Sequence, residues 1–144
     1  MLVRQILASK GSSAVETIAP EATLAEAARR LREKRIGALV VSGDGARPEG
    51  ILSERDIVAA LARQGALCLE QTVAEVMTAE VATCAPSDRA DDVLARMTAG
   101  RFRHMPVMED GRMVGLISIG DVVKARLDEL AHENAALADM IMGR

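Results

Sequence analysis

Gly115-Leu116-Ile117-Ser118-Ile119-Gly120-Asp121 is the stretch that decides how this chain is read. An apolar run with strand character stops at a hydroxyl. Three residues later a carboxylate stands at the front of a helix-forming run, Val122-Val123-Lys124. A helix start presents backbone N–H groups with no partner inside the helix, and those groups attract anions. The same design occurs earlier, as Gly50-Ile51-Leu52-Ser53-Glu54-Arg55-Asp56 followed by Ile57-Val58-Ala59-Ala60-Leu61. Taken structurally, Ser-x-x-Asp is a helix capping box. One cap can also serve a ligand: the aspartate can take two ribose hydroxyls while the serine and nearby N–H groups take phosphate. Each opening is expected to face a threonine of its own repeat.

Working outward, the duplication extends through most of the chain. Val15-Glu16-Thr17-Ile18-Ala19-Pro20 aligns with Val81-Ala82-Thr83-Cys84-Ala85-Pro86, Arg35 with Arg101, and Val41 with Val107. The offset is 66 residues from Pro20 to Pro86 and 65 from Asp56 to Asp121, so one loop differs by one residue. That period is too long for a solenoid and suits two units paired face to face.

Each unit reads as β-α-β-β-α, an α/β (α+β) fold. A short extended segment, Thr17-Ile18 or Thr83-Cys84, precedes a proline turn. A helix follows, capped by Thr23 with Glu26 three residues on, or by Ser87 or Asp88 in the second unit. Leu24, Ala27, Ala28 and Leu31 form its apolar stripe, as do Val93, Leu94 and Met97. Strands Ala38-Leu39-Val40-Val41 and His104-Met105-Pro106-Val107-Met108 come next. The turns Ser42-Gly43-Asp44-Gly45 and Glu109-Asp110-Gly111 have hairpin chemistry, leading to Gly50-Ile51-Leu52 and Met113-Val114-Gly115-Leu116-Ile117. The expected boundaries are 10–66 for the first unit, 67–75 for a linker, 76–130 for the second unit and 131–144 for a C-terminal helical tail. Gly65 stops a helix, a short helix runs from Thr72 to near Met77, and residues 9–13 form a loop after an N-terminal helical turn. Val123, Leu127, Leu130, Asn134, Leu137 and Ile141 alternate at four and three spacing, a heptad seam with Asn134 as its polar register residue. That seam either packs on its own core or joins a second copy.

Composition narrows the function. The chain has 144 residues and a net charge of −3, with basic residues dispersed, which argues against nucleic acid as a partner. Phe102 is the sole aromatic, so a bound purine must rest mainly on aliphatic side chains or on an Arg or His plane. Two cysteines outside a CxxC, with two histidines, build no zinc signature, and reduced thiols are expected. No apolar run reaches membrane length and residues 1–7 lack a signal-peptide pattern, so a cytoplasmic protein with no membrane partner is expected. Phosphate-loop signatures of the NTPase and dinucleotide types are absent. Arg101, Arg103 and His104 cluster before a strand; Lys34, Arg35 and Arg55 are their nearest equivalents, all suited to pairing with phosphate. Lys34 also suits a solvated helix end, where a cation opposes the dipole. His104 has no nucleophile and acid partner placed beside it, so no catalytic residue is expected.

The paired units resemble tandem cystathionine-β-synthase (CBS) domains, a module also found in IMP dehydrogenase and in the γ subunit of AMP-activated kinase. The residues that carry the resemblance are Val15-x-Thr17-Ile18-x-Pro20, Ile36-Gly37-Ala38-Leu39-Val40-Val41 and Gly50-x-x-Ser53-x-x-Asp56, then Val81-x-Thr83-x-x-Pro86, Arg103-His104-Met105-Pro106-Val107 and Gly115-x-x-Ser118-x-x-Asp121. The resemblance implies two repeats packed through their sheets with pseudo-twofold symmetry, two clefts between them, and an adenosine ligand. AMP is the first choice, with ATP, ADP, NAD or S-adenosylmethionine as others. It also implies Asp56 and Asp121 at ribose, Ser53 and Ser118 at phosphate or ribose, and Arg55 beside them. Thr17, Ile18, Thr83 and Cys84 would line the base or phosphate end. Ile36, Gly37, Ala38, Arg103, His104, Met105 and Pro106 would contact the base edge. A flat homodimer and an effector protein complete the expectation: a regulatory nucleotide sensor that is not an enzyme. The competing readings are a nucleotide-independent dimer scaffold and a redox switch through Cys68 and Cys84.

Overall fold

A computed structural model describes residues 1–11 and 15–143. Ser12 and Ser13, in the expected 9–13 loop, lie outside the described residues. Helix α1 (Val3–Ser9) precedes β1 (Thr17–Ile18), α2 (Leu24–Lys34), β2 (Ala38–Val41), β3 (Gly50–Ser53) and α3 (Glu54–Gln64). A 3-10 turn (Gly65–Glu70) leads into α4 (Val73–Val76). The second half runs α5 (Ala90–Gly100), β4 (His104–Glu109), β5 (Arg112–Ser118) and α6 (Ile119–Met142). Among the described residues the first sheet has the order β1-β2-β3, with β1 parallel and β3 antiparallel to β2. The second pairs β4 with β5, and Cys84 bridges in parallel to Val107 where β1 stands in the first.

Local chemistry accounts for the turns. Asp110 and Gly111 both have positive φ, 51° and 77°, as a two-residue hairpin turn of the tight mirror-image type requires. Gly65 closes α3 at φ 70°. Thr23 caps α2, accepting from the Glu26 N–H at 3.2 Å. The expected cap of α5 is different. The helix starts at Ala90 with Arg89 at the capping position and no side-chain cap, because a guanidinium has no acceptor to offer the helix N–H groups. Asp88 instead accepts from the Ala85 N–H at 2.9 Å and holds the proline turn.

The strand burial pattern explains the architecture. All four residues of β2 are buried. Leu39 and Val41 belong to the core under the helices of the first repeat, while Ala38 and Val40 point the other way and are equally covered. On β4, Met105 and Val107 enter the second core, and Pro106 is buried on the opposite side. Strands buried on both sides need a layer on each; here one layer is the repeat's own helices and the other is the second repeat.

The short helices are exchanged. Val3 and Ile6 of α1 are buried in the second core, and Val73 of α4 in the first. The backbone repeats the exchange bond for bond. Val3 and Arg4 donate to the Asp88 and Pro86 carbonyls at 2.9 and 3.0 Å; Val73 and Ala74 donate to those of Ala22 and Pro20 at 2.8 and 3.0 Å. The glycines that lead the two site motifs are required by this packing. A Cβ on Gly115 would stand 2.6 Å from Leu7 at the end of α1, and one on Gly50 would stand 2.9 Å from the Thr78 carbonyl just past α4.

The α6 helix runs unbroken for 24 residues, so the C-terminal tail continues the last helix of the second repeat. Its seam does not pack on this chain's core: Leu127 is 61% exposed, Leu137 56% and Ile141 85%. No helix among the described residues is long and apolar enough to cross a membrane.

Truncating Ile6 to Ala should cost about 2–5 kcal/mol, because the residue is buried in a core to which its own repeat does not belong. Urea unfolding of the variant measures it, and a cost near zero would show that α1 is a dispensable appendage.

Candidate functional site: two clefts between the repeats

The strand-to-helix junctions behave as full capping boxes. Ser53 Oγ accepts from the Asp56 N–H at 3.3 Å, and Asp56 Oδ2 accepts from the Ser53 N–H at 2.9 Å. Ser118 Oγ accepts from the Asp121 N–H at 3.1 Å, and Asp121 Oδ2 accepts from the Ser118 N–H at 2.9 Å. Each box occupies Oδ2 alone, and Oδ1 of both aspartates accepts no hydrogen bond among the described residues. The first N–H of each helix is also taken: Glu54 donates to the Gly37 carbonyl at 3.0 Å and Ile119 to that of Arg103 at 2.8 Å. Of the first three helical N–H groups, those of Arg55 and Gly120 remain for a ligand.

Both carboxylates line hollows. The Asp56 cleft has a volume of about 910 Å³ and is lined by Gly37, Ile51, Ser53, Glu54, Arg55 and Asp56 from the first repeat and by Thr78, Glu80, Val81, Ala82, Gly100, Arg101, Phe102, Arg103 and His104 from the second half. The Asp121 cleft has about 520 Å³ and is lined by Gly115, Leu116, Ser118, Asp121 and His104, facing Val15, Glu16, Lys34, Arg35, Ile36, Gly37 and Ala38, with Leu7 and Lys10 at one side. Each Ser-x-x-Asp therefore faces the other repeat, not a threonine of its own, since the repeats meet across the outer sides of β2 and β4.

Ser53, Arg55, Asp56, Gly37, Arg103 and His104 come together in the larger cleft, and Ile36, Gly37, Ala38, His104, Ser118 and Asp121 in the smaller. Thr17, Ile18, Thr83, Cys84, Met105 and Pro106 line neither. Ile18, Cys84 and Met105 are core residues. Thr17 and Thr83 stand one residue beyond the lining pairs, which end at Glu16 and Ala82. Sequence reasoning left out Glu80, Phe102, Lys10 and Glu16. Phe102, the sole aromatic, lies in the larger cleft, so that cleft does offer an aromatic surface.

Two lining residues carry unusual backbone. Arg35 and Arg101 close α2 and α5 in the left-handed region, at φ 54° and 57°, where glycine is the usual residue. Each stands at one cleft. The Arg35–Arg101 match in the repeat was the sequence signal for them.

Electrostatics differ across the molecule. Burial pushes the Asp121 carboxyl up, but hydrogen bonds from Lys10 and Ser118 outweigh it, and the net position is below the ordinary 3.8. His104 lines both clefts, with Gly37 beside its ring. Burial lowers its pKa from 6.5; Asp121 and Glu54 oppose the shift, while Lys10 and Arg103 add to it. It is a neutral imidazole at pH 7. Burial also raises the Cys84 thiol to about 11, so it is not a thiolate at neutral pH. Cys68 sits in the other core, which removes the pair needed for an intramolecular redox switch. No cluster of three or more potential metal ligands occurs among the described residues.

Comparison with known proteins agrees with this architecture. The family model for the CBS domain matches residues 3–63 and 73–128. A CBS-domain-containing protein of Agrobacterium tumefaciens superposes with a TM-score of 0.82 at 46% identity, covering 88% of this chain and 99% of that one. A CBS domain protein of Pyrobaculum aerophilum, solved in complex with AMP, gives 0.77 at 27% identity over 92% of this chain and 99% of its own. The CBS domain pair of protein MJ0100, solved with 5′-methylthioadenosine and S-adenosyl-L-methionine, gives 0.77 at 27% identity over 90% and 98%. Two family matches in one chain, each carrying one Ser-x-x-Asp opening, make this protein a tandem member of the CBS domain family.

Proposed function

We propose that this protein is a non-catalytic regulator that senses an adenosine nucleotide, AMP first, in the clefts between its two repeats. One observation carries the reading: both repeated aspartates line a hollow with Oδ1 uncommitted while Oδ2 is fixed by the cap. A carboxylate held this way is pre-oriented for a ribose diol without losing its capping bond. In this reading Asp56 and Asp121 take ribose and Ser53 and Ser118 lie near phosphate or ribose. Arg55, Arg101 and Arg103 in one cleft and Lys34 and Arg35 in the other supply phosphate charge. ATP, ADP, NAD and S-adenosylmethionine are the other adenosine ligands to test, and the complexes of the two relatives support the class. The ligand touches both repeats, so its binding shifts the population toward one arrangement of the pair, which an effector protein reads in the cytoplasm.

The exposed seam of α6 supports homodimerisation as a second element of the reading. Residues 131–143 of the chain are all exposed, and such a helix end is marginal alone in water; with Leu130 it presents Leu137 and Ile141 on a single stripe interrupted by Asn134.

Calorimetric titration with AMP tests the first element. The unaltered chain should bind, and Asp56→Ala and Asp121→Ala should each weaken binding at their own cleft by roughly tenfold or more, the loss of a hydrogen bond to a charged group. Absence of heat with any of the adenosine ligands would leave the dimer scaffold as the function. Sedimentation equilibrium tests the second: a dimer is expected, and Leu130→Glu with Leu137→Glu should yield monomers of unchanged helix content. The shared histidine adds a pH dependence. Its folded pKa lies below its unfolded one, so the unfolded chain binds more protons as pH falls. Stability should then drop as pH falls through about 6.5 toward the lower folded pKa, and His104→Asn should flatten that slope in urea melts.

A further inference from the structure

Lys10 distinguishes the two clefts. Its Nζ donates to Asp121 Oδ2 at 2.9 Å and to the Leu116 carbonyl at 2.9 Å, inside the smaller cleft. The side chains are 35% and 24% exposed, so the pair is neither fully solvated nor sealed. The donated helices match as far as Leu7 and Met77, which rest on Gly115 and Gly50. Beyond them α1 stays helical to Ser9, while the chain after α4 pairs Thr78 with Ile51, so Lys10 has no positional counterpart in the larger cleft. Ser53 Oγ donates to Asp56 Oδ2 at 3.1 Å, whereas Asp121 Oδ2 accepts from the Lys10 ammonium at 2.9 Å.

We propose that Lys10 is the latch and anion selector of the Asp121 cleft: it neutralises the carboxylate and moves onto the phosphate of an entering nucleoside monophosphate. This rests on the reading of Asp121 as the ribose ligand. The ammonium on Oδ2 neutralises the carboxylate that a ribose approaches through Oδ1, so a nucleoside without phosphate meets a weaker acceptor and gives the ammonium no anion in return. A nucleotide supplies the replacement, and the flexible four-carbon stem lets the charge follow it. The larger cleft, with no cation within salt-bridge distance of Asp56 among the described residues, lacks this device. The two sites therefore differ in their preference for phosphate.

Calorimetry with AMP and with adenosine, in an Asp56→Ala background so that heat reports the Asp121 cleft, tests the assignment. The Lys10 protein should prefer AMP. Lys10→Met should weaken AMP and strengthen adenosine, reducing their affinity ratio at least tenfold, while Lys10→Arg keeps the preference. Adenosine binding that is detectable solely after Lys10→Met also supports the latch. Binding of both ligands with an unchanged ratio in Lys10→Met overturns the role of Lys10 and leaves the ribose reading standing. Silence of both ligands in both proteins overturns the ribose reading and the latch with it. Carbon NMR titration of the Asp121 carboxyl gives a readout without ligand: its pKa must rise in Lys10→Met, and an unmoved value overturns the latch.

Discussion

Neither repeat can complete its own core. The central strand of each is buried on both sides, and one of the helices that covers it is donated from elsewhere in the chain. Val3, Ile6 and Val73 are among the most deeply buried side chains of the molecule. Burying an aliphatic side chain of that size is worth about 1.5–3 kcal/mol, so the exchanged helices contribute a stabilisation comparable with the whole net stability of a small domain. The constraint reaches the sites directly. Leu7 and Met77, at the ends of the donated helices, rest on the glycines that begin the Gly-x-x-Ser-x-x-Asp motifs. The conserved look of that motif within the chain thus has two physical sources, a close approach at glycine and a cap at serine and aspartate.

The capping box settles how a ligand can be held. A cap of this kind is worth about 1 kcal/mol and it fixes the carboxylate with one oxygen inward. It also consumes the third N–H of the helix, while the carbonyl just before the neighbouring strand, Gly37 or Arg103, takes the first. A phosphate cannot then be cradled by a row of free N–H groups as at an open helix start. Charge for an anion has to come from side chains, which is consistent with the arginines and lysines around both openings. Two of these, Arg35 and Arg101, occupy left-handed backbone where a side chain costs of order 1 kcal/mol. Both are the left-handed ends of their helices, closed by the Ile36 and Phe102 N–H groups on the Leu31 and Met97 carbonyls, and that turn sets each arginine at the mouth of a cleft.

Much of this was legible in the sequence because it is encoded locally. Period-two and period-3.6 patterns located the strands and helices, Asp110-Gly111 specified its turn, and Gly65 its stop. The exchange of α1 and α4 was not legible. A short apolar stripe such as Val3, Ile6 and Leu7 states that one side is buried, but carries no information about which core receives it. The resemblance implied two clefts between the repeats, but which residues share a cleft was hidden for the same reason: Val15 and Val81 align with each other, yet each serves the aspartate of the other half. Arg89 misled the capping expectation, since its neighbour Asp88 has cap chemistry but is committed to the proline turn.

The pseudo-twofold axis is broken where it matters for chemistry. His104 stands opposite Ala38 and Glu16 opposite Ala82, all lining residues, and Lys10 pairs with Asp121 while no cation pairs with Asp56 among the described residues. His104 belongs to both clefts at once, so a ligand that alters its surroundings in one alters a wall of the other, and any resulting coupling between the sites must be reciprocal. Such divergence requires both repeats in one chain. A symmetric dimer of single repeats presents the same surface twice, and would carry a lysine against both aspartates or against neither. Fusion of the two repeats keeps the shared core while letting each cleft acquire its own charge.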